Sequence, residues 1–341
     1  HGQRRTGKTS ILYQVLGGRL GTGFIPVLVD MQELALSINS TADLFIEFTE
    51  KICRAMQRAG VEMARPDETA FEKSPARAFN RFLDELEEQL HGKKMLLMID
   101  EFEILEEKIN QKKLEADVLS YVRSMIQHRD YLAFLFTGTH KLEQMSKDYW
   151  SIFFNIAIHK QVSFMEKADT EKLIRVPVQG RLGIDDLTVE KILMLTSGHP
   201  YFVQLLCYKL VELCNRQERN YATVNDLNLV VNDLVVDGEN HFAYFWKMAS
   251  VEQQLVLSAI AEILGPGNNT AAIAEILELI ISAGVNHLEK TDLIQILDNL
   301  VEQDILLLHT GGAMQYSYKV GLIAEWVKKA KTLRIIVERN L

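Results

Sequence analysis

The stretch GQRRTGKTS, residues 2–10, decides the fold of this chain. Its first eight residues fit the pattern G-x-x-x-x-G-K-[ST], in which a glycine-rich loop wraps the phosphates of a nucleotide. Such a loop normally joins a buried strand to a helix, and helical spacing of apolar residues does follow from Thr9 to about Gly17. Because no residues for a strand precede the loop, we expect this sequence to be a piece of a longer chain.

The chemistry of such a loop depends on backbone N–H groups at a helix N-terminus, where the helix dipole also favours negative charge. Lys8 is predicted to reach the β- and γ-phosphates, and the Thr9 hydroxyl to ligate Mg²⁺. The sequence therefore predicts ATP or ADP, with Mg²⁺, as ligand. The predicted nucleotide contacts from this stretch are Gly2, Arg5, Thr6, Gly7, Lys8, Thr9 and Ser10.

Three apolar runs after the loop predict buried strands, namely FIPVLVDM (24–31), MLLMI (95–99) and YLAFLFTGT (131–139). Helical spacing between them, over 42–90 and around 115–127, indicates crossover helices and hence a parallel sheet. The segment IHKQVSF near residues 158–164 is predicted to form the last strand. The fold class is thus α/β, a parallel P-loop sheet with helices on both faces.

Acidic residues follow the second of these strands directly. Asp100 is predicted to hold the hydration shell of Mg²⁺ from the carboxyl end of the strand, where a P-loop ATPase requires a carboxylate. Glu101 is predicted to orient or deprotonate the attacking water. Glu103, Glu106 and Glu107 are better explained as acids at a strand-to-helix junction or as helix caps.

A polar residue, Thr137, ends the third strand, and it is a second catalytic candidate. It could hydrogen-bond the attacking water or the γ-phosphate, or merely close the strand. Arg4 and Arg5 are expected to face solvent or another subunit. Arg123 and Arg129 are candidates for arginines that act in trans, with a solvated helix face as the alternative.

The turn Gly198-His199-Pro200 follows a change of pattern at Pro177, after which helices alone are predicted through about Val236. A histidine before a proline is usually a turn residue. In an ATPase with a helical lid, however, such a turn can close over the base and phosphates. His199 and Pro200 are therefore predicted nucleotide contacts.

The remaining sequence predicts a winged helix, because DILLLHTGGAMQYSYKV (304–320) has two β-like runs around a Gly-Gly turn. The predicted domains are a nucleotide-binding core at 1–178, an all-helical lid at 179–238 and a winged-helix domain with a connector helix at 239–341. The connector is the basic amphipathic run 326–339.

The composition fits a globular protein, since 48% of the 341 residues are hydrophobic and the net charge is −9. That charge argues against general nucleic-acid binding, which depends on clustered Lys and Arg. Three cysteines, Cys53, Cys207 and Cys214, have no metal spacing and are expected to be reduced thiols. No apolar run reaches the roughly 20 residues of a membrane span, so a cytoplasmic location without membrane contact is expected.

A family resemblance rests on five motifs in this order: GQRRTGKTS, LLMIDEFE, FLFTGT, LIRVPVQG and SGHPYFVQLLCYKLV. With the winged helix, they resemble the prokaryotic STAND NTPases, specifically the archaeal-type, AAA-like ATPase branch related to NACHT and NB-ARC switches. The resemblance implies slow ATP hydrolysis, an ADP-bound closed state and an ATP-bound oligomer. It also implies an upstream effector and a downstream sensor in the same longer chain, a protein or nucleic-acid trigger, and a role in antiviral defence.

Two other function classes stay open. One is a DNA-engaged AAA+ ATPase of origin-initiator type that binds DNA through the winged helix. Against it, no arginine follows Gly198 as in the lids of those proteins, and residues 239–341 hold 8 Lys or Arg and 12 Asp or Glu, a balance of −4. The other is a nucleotide-binding scaffold without hydrolysis, which Glu101 disfavours.

Overall fold

A computed structural model describes residues 1–139, 156–265 and 267–340. The chain divides into two compact units, His1–Ser163 and Phe164–Leu341. Each unit has its own hydrophobic core. The elements of the first unit are α1 (Lys8–Gln14), β1 (Phe24–Asp30), α2 (Met31–Leu34), α3 (Thr41–Arg58), α4 (Glu68–Lys73), α5 (Pro75–Gln89), β2 (Lys94–Asp100), α6 (Glu103–Asn110), α7 (Val118–His128) and β3 (Leu132–Phe136).

The first unit is built on a parallel sheet in the order β1-β2-β3. Val27, Leu97 and Phe134 lie in register across the sheet and face the core formed with α3, α5 and α7. The alternate residues of each strand, such as Met98, lie on the other face of the sheet, where Met98 packs against Leu12 of α1. Because both faces are covered, β2 is apolar at every position from Met95 to Ile99, as the sequence predicted.

Aromatic side chains fill the larger of the two layers. Phe45 of α3 stacks on Phe79 of α5 with ring centroids 4.8 Å apart, and Phe82 lies beside Phe79 at 6.1 Å. The three rings are each at most 1% exposed. These contacts fix α3 and α5 against the sheet and so hold the carboxyl ends of β1 and β2 in place.

The predicted strand at 158–164 is wrong, because residues 156–163 have no strand hydrogen-bonding pattern. Instead, the Val162 amide donates to the His1 carbonyl at 2.7 Å, and the Gly2 amide donates to the Gly138 carbonyl at 3.2 Å. Residues 1 and 2 therefore lie between this segment and the end of β3. The His1 amino group also donates to the Lys160 carbonyl at 3.0 Å, and these three bonds position the glycine-rich loop without forming an assigned strand.

The second unit is mainly helical. Residues 183–184 pair in parallel with residues 221–222, so the prediction of helices alone after Pro177 missed one two-residue pairing. A 3₁₀ turn, Val176–Val178, follows its first helix. Its elements are α8 (Lys167–Arg175), β4 (Gly183–Ile184), α9 (Asp186–Thr196), α10 (Pro200–Arg216), β5 (Tyr221–Ala222), α11 (Val224–Asp237), α12 (Glu239–Met248), α13 (Val251–Ile263), β6 (Ala271–Ala272), α14 (Ile273–Ser282), α15 (Lys290–Glu302), β7 (Leu306–His309), β8 (Gln315–Tyr318), α16 (Gly321–Ala330) and α17 (Leu333–Asn340).

The end of the second unit has the winged-helix arrangement. Helix α13, strand β6, helices α14 and α15 and the hairpin β7–β8 follow in order, and the three strands form an antiparallel sheet in the order β6-β8-β7. The hairpin turns at Gly311-Gly312, as predicted. The fold is therefore an α/β P-loop sheet followed by a helical lid and a winged helix.

One hydrophobic core joins the helices of the second unit. Phe242 of α12 stacks on Phe202 of α10 at 5.6 Å and on Trp326 of α16 at 5.1 Å. The predicted single connector helix at 326–339 is wrong, because α16 ends at Ala330 and α17 starts at Leu333. Trp326 is 1% exposed, so it anchors this end of the chain in the core.

Within the described part of the chain, none of the helices combines the length and the apolar character that crossing a membrane requires.

Candidate nucleotide-binding site

The glycine-rich loop turns sharply into α1. Gly7 has φ of 97°, a left-handed conformation that side chains with a Cβ disfavour, and α1 begins at the next residue. Among the residues that the structure describes, no side chain caps this helix. Its first N–H groups therefore remain available for an anion at the point where the sequence predicts the phosphates.

Lys8 lies against the inside of the loop. Its Nζ donates to the carbonyls of Gly2 and Gln3, each at 2.8 Å, and the residue is 5% exposed. Burial lowers the pKa of Lys8, while the carboxylates of Glu101, Glu103 and Asp100 act in the opposite direction. The ammonium group is thus held at the loop by two neutral carbonyl acceptors. A phosphate oxygen in their place would accept stronger, charge-assisted hydrogen bonds.

Thr9, Asp100 and Thr137 meet at the carboxyl ends of β2 and β3. The Thr9 hydroxyl donates to Asp100 Oδ2 at 2.7 Å, and the Thr137 hydroxyl donates to Asp100 Oδ1. Asp100 is 2% exposed. The chain thus brings together three of the predicted residues from three separate segments.

The donor set at this point suits Mg²⁺. Mg²⁺ is usually held by one or two carboxylates together with substrate phosphates and waters, rather than by an all-protein cage. Asp100 and the Thr9 hydroxyl supply such a partial shell. Among the residues that the structure describes, no group of three or more His, Cys, Asp or Glu side chains forms a metal cage.

Glu101 has an unusual backbone for a non-glycine residue, with φ of 51°. Its amide donates to Asp100 Oδ1 at 3.0 Å. Strained backbone of this kind is concentrated at functional sites, where the surrounding structure maintains it. The structure thus places Glu101 beside the Asp100 carboxylate, and its role towards water stays a prediction.

Glu103 is a site residue that the sequence interpretation missed. Its Oε1 accepts hydrogen bonds from the Thr139 amide at 2.9 Å and the Thr139 hydroxyl at 2.7 Å. Burial acts to raise the pKa of Glu103, but these two bonds outweigh it and the pKa lies below its ordinary value. Glu103 thus ties the start of α6 to the loop after β3. The signal was present in the sequence, because both residues come shortly after neighbouring strands.

Glu101 and Glu103 influence each other's ionisation. Burial, then the charge of Glu103, then a hydrogen bond between the two carboxyl groups raise the pKa of Glu101 above its ordinary value. Two carboxylates this close cannot both ionise without cost. Of the two, Glu101 is the group whose ionised form this structure disfavours.

Replacing Glu101 by Gln is expected to raise the free energy of unfolding at neutral pH. Because the folded-state pKa of Glu101 is raised, its protonated form stabilises the fold below the ordinary value of 4.5, and that stabilisation is lost as the pH rises through the folded-state pKa. Glutamine does not titrate, so the gain over wild type should vanish as the pH falls below 4.5. Urea unfolding at several pH values measures this gain in the free energy of unfolding, with Glu107→Gln, a change at an exposed position, as control. A gain that does not depend on pH would contradict the prediction.

The other predicted residues of the loop have different surroundings. Arg4, Arg5 and Ser10 are exposed, which agrees with the expectation that the two arginines face outward. Thr6 is 4% exposed, and its hydroxyl donates to the Gln3 carbonyl at 2.8 Å. The Thr6 side chain therefore shapes the loop, and only its backbone is placed to meet a nucleotide. Nucleotide contact by these residues stays a prediction.

The turn Gly198-His199-Pro200 lies in the second unit, where Pro200 is the first residue of α10. The His199 ring is 4% exposed and packs against Phe164 at 4.8 Å and Phe202 at 4.9 Å. The Gly198 carbonyl accepts from the Met165 amide at 2.9 Å. The turn is thus rigidly built, and its contact with nucleotide stays a prediction.

Replacing Gly198 by Ala is expected to destabilise the second unit strongly. Gly198 has φ of 77°, and an added Cβ would lie 2.2 Å from the Met165 carbonyl oxygen. We expect a loss of about 3 kcal/mol or more, since positive φ costs about 1–2 kcal/mol and overpacking about 1–3 kcal/mol. Gly180→Ala is the matched control, because Gly180 has φ of 76° with no atom near its Cβ position. Calorimetric unfolding that shows equal losses for both variants would contradict this.

Arg129, one of the two proposed trans-acting arginines, has a structural role. Its guanidinium donates to Asp84 and to the Tyr131 hydroxyl, each at 2.8 Å, and to Asn80 at 3.1 Å. Its side chain is 17% exposed and is held by these partners within the first unit, and a role in trans stays a prediction. Arg123, on α7, is partly exposed.

Comparison with known proteins gives a fold but no family. No protein-family model matches the chain, and no curated protein matches it. The Aeropyrum pernix ORC2 protein, solved in ADPNP–ADP complexes, is similar with a TM-score of 0.62 and 12% identity, over 99% of this chain and 86% of that one. The ADP form of the same protein gives a TM-score of 0.53 at 12% identity, over 99% and 87%.

Further matches are too weak to argue from. The Aeropyrum pernix ORC1 protein in complex with DNA has a TM-score of 0.45 and 12% identity, over 100% of this chain and 87% of that one. At these identities the likeness to ORC2 establishes the fold alone. The comparisons do not confirm the resemblance to STAND NTPases.

Proposed function

We propose that this chain binds ATP with Mg²⁺ at the glycine-rich loop and hydrolyses it slowly. The observation that carries the proposal is the meeting of Thr9 and Asp100 at 2.7 Å, directly beside the uncapped N-terminus of α1 and the buried Lys8. A hydroxyl and a carboxylate in this position are what a P-loop ATPase needs for its metal ion. The ORC2 likeness supports the proposal, because that protein was solved with ADP and ADPNP.

In this proposal, phosphate binding, metal binding and activation of water are carried out by different residues of the first unit. Lys8 and the first N–H groups of α1 bind the phosphates, while Thr9 and Asp100 hold Mg²⁺, which supplies charge neutralisation when bound. Glu101 orients the attacking water and accepts its proton. Burial and the charge of Glu103 raise the pKa of Glu101, and a raised pKa strengthens a carboxylate as a proton acceptor.

The finer form of this proposal is a STAND-type switch. ADP would connect the loop to the Gly198-His199-Pro200 turn and keep the chain closed, and ATP with a trigger would release it to assemble into an oligomer. Moving such an equilibrium from 1:99 to 99:1 needs a differential affinity of about 10⁴-fold. We therefore propose that a trigger supplies part of this free-energy difference. Effector and sensor domains in a longer chain, and a role in antiviral defence, belong to this same proposal.

A second candidate is a DNA-engaged ATPase of origin-initiator type, and the ORC2 fold favours it over the STAND switch. The charges of the winged helix oppose it. Helix α15, which occupies the position of a recognition helix, has one Lys against two Asp and one Glu. The turn of the wing, residues 310–314, contains no Lys or Arg. Phosphate contacts come mainly from such cations.

The mass of the Glu101→Gln protein in solution, measured by light scattering with ADP and then with ATP and Mg²⁺, tests the switch. A multimer that forms only with ATP supports it and gives the subunit number. A monomer in both states, together with salt-sensitive binding of duplex DNA in fluorescence anisotropy, would favour the initiator candidate instead. An unchanged monomer that binds no DNA would contradict both the STAND-type switch and the origin-initiator candidate. It would not contradict the proposal that the chain is an ATPase.

A further inference from the structure

A basic pocket lies on the first unit, away from the glycine-rich loop in sequence. Four cations line it: Arg65 in the loop before α4, Lys73 at the end of α4, and Arg77 and Arg81 on α5. Its volume is about 510 Å³, within the range of small-molecule sites. The net charge of the whole chain is −9, so four cations around one concavity run against its overall character.

Among the described residues, none of the four cations forms an ion pair with a carboxylate. Nearby Asp67 has a lowered pKa, first through hydrogen bonds from Thr69 and, less strongly, through the charge of Lys73. Among the described residues of the lining itself, four are cations and one, Glu85, is a carboxylate, so the lining carries more positive than negative charge.

The charge order along α5 is the reverse of what helix stability favours. Arg77 and Arg81 lie in its N-terminal half, and four acids, Asp84, Glu85, Glu87 and Glu88, lie in its C-terminal half. A helix dipole favours acids at the N-terminus and cations at the C-terminus. The arginines therefore do not serve the local stability of α5, and the concave pocket that they line with Arg65 is the feature they share.

Apolar residues line the pocket together with the cations. Among them are Phe82, which is 1% exposed, Ala78, which is 8% exposed, and Pro66. Arginine forks match phosphate oxygens in pairs. A ligand with several phosphate groups and a flat apolar portion would thus meet complementary chemistry at both of its ends.

We propose that this basic pocket binds a compact polyphosphorylated small molecule of nucleotide size, at a site separate from the glycine-rich loop. A nucleic-acid strand fits less well, because polymer binding uses a positive groove that tracks the backbone over several nucleotides. Here the four cations line one concavity, and the acidic half of α5 follows it directly.

Ligand binding at this pocket would order α4. That helix has six residues, of which Phe71 alone is buried, so its local stability rests on few contacts. A ligand that joins Lys73 to Arg77 would hold α4 against α5. Ligand binding would thus also restrict the motion of the helices that pack on β1, because α4 contacts them.

Hydrogen exchange of the whole chain, followed by mass spectrometry, tests this proposal. Four probes are compared: tripolyphosphate, ADP, adenosine and a short oligothymidylate. We expect tripolyphosphate and ADP to slow exchange in residues 68–78, and adenosine not to. The double variant R77E/R81E should weaken this protection by about tenfold or more, since two charge-assisted contacts are reversed. The matched control is R181E/R216E, which makes the same charge change at exposed arginines of the second unit.

The outcomes separate this site from the glycine-rich loop. Protection confined to residues 2–10 with every phosphate probe, or equal protection in R77E/R81E and wild type, would overturn the proposal. Stronger protection by oligothymidylate than by tripolyphosphate would overturn the compact ligand. Arg65→Glu, in a loop, provides a second variant should R77E/R81E not fold. Since Lys8→Ala should leave the effect at 68–78 intact, failure here and failure of the ATPase proposal are distinguishable.

Discussion

Replacing Glu101 by Gln is expected to slow ATP hydrolysis by about 10²–10⁴-fold, the contribution of a positioned general base, while leaving nucleotide affinity nearly unchanged. Glutamine keeps the size and the hydrogen-bonding reach of the side chain but cannot accept the proton of the attacking water. Asp100 and Lys8, which the account assigns to metal and phosphate, are not altered. This variant should therefore bind ATP almost as the wild type does but hydrolyse it much more slowly.

The measurement is single-turnover production of ADP, with ATP affinity determined in parallel. Glu107→Gln is the control, because Glu107 is an exposed glutamate on the same helix as Glu103. Equal rates for Glu101→Gln and wild type would remove Glu101 from the role of base. Equal loss in Glu107→Gln would point to a general effect of charge instead.

Replacing Lys8 by Ala is expected to lower the affinity for ATP and ADP about ten- to over a hundredfold. A hydrogen bond from a charged group contributes roughly 1.5–3 kcal/mol, which converts to that range. The loss should be larger for ATP than for ADP, because the side chain is predicted to reach the γ-phosphate as well. The variant also loses the two bonds from Nζ to the Gly2 and Gln3 carbonyls, so its loop should loosen.

Titration calorimetry with ATP and with ADP measures this effect. Lys93→Ala is a matched control in the same unit, because Lys93 is exposed and lies just before β2. An unchanged ATP affinity in Lys8→Ala would contradict the assignment. A thermal unfolding curve of each variant shows whether a lost affinity comes from the site or from the fold.

Local patterns were enough to predict much of the fold. β1 and β2 were predicted because a buried parallel strand is apolar on both faces, and the loop because its spacing is specific. The meeting of Asp100 and Thr137 also follows from sequence, since the carboxyl ends of neighbouring parallel strands lie at one edge of the sheet. These two residues are 37 positions apart and hydrogen-bonded.

Features that depend on side-chain contacts were not predictable. Because Thr139 and Glu103 both follow neighbouring strands, the sequence indicates that they lie near each other, but their hydrogen bonds depend on where α6 begins and on the rotamer of Glu103. The hydrogen bonds of Arg129 could not be predicted for the same reason, because its partners Asp84 and Asn80 come from α5. The strand predicted at 158–164 had the right composition but only residues 1 and 2 beside it. Each failure concerns a partner that is distant in sequence.

The central claim is that Lys8, Thr9 and Asp100 bind ATP together with Mg²⁺. Titration of ATP into the Glu101→Gln protein, first with Mg²⁺ and then with EDTA in its place, tests this most directly. The account predicts tight binding with Mg²⁺, clearly weaker binding with EDTA, and loss of the Mg²⁺-dependent part when Lys8→Ala is added. No binding of ATP, or binding that is indifferent both to Mg²⁺ and to Lys8, would contradict it.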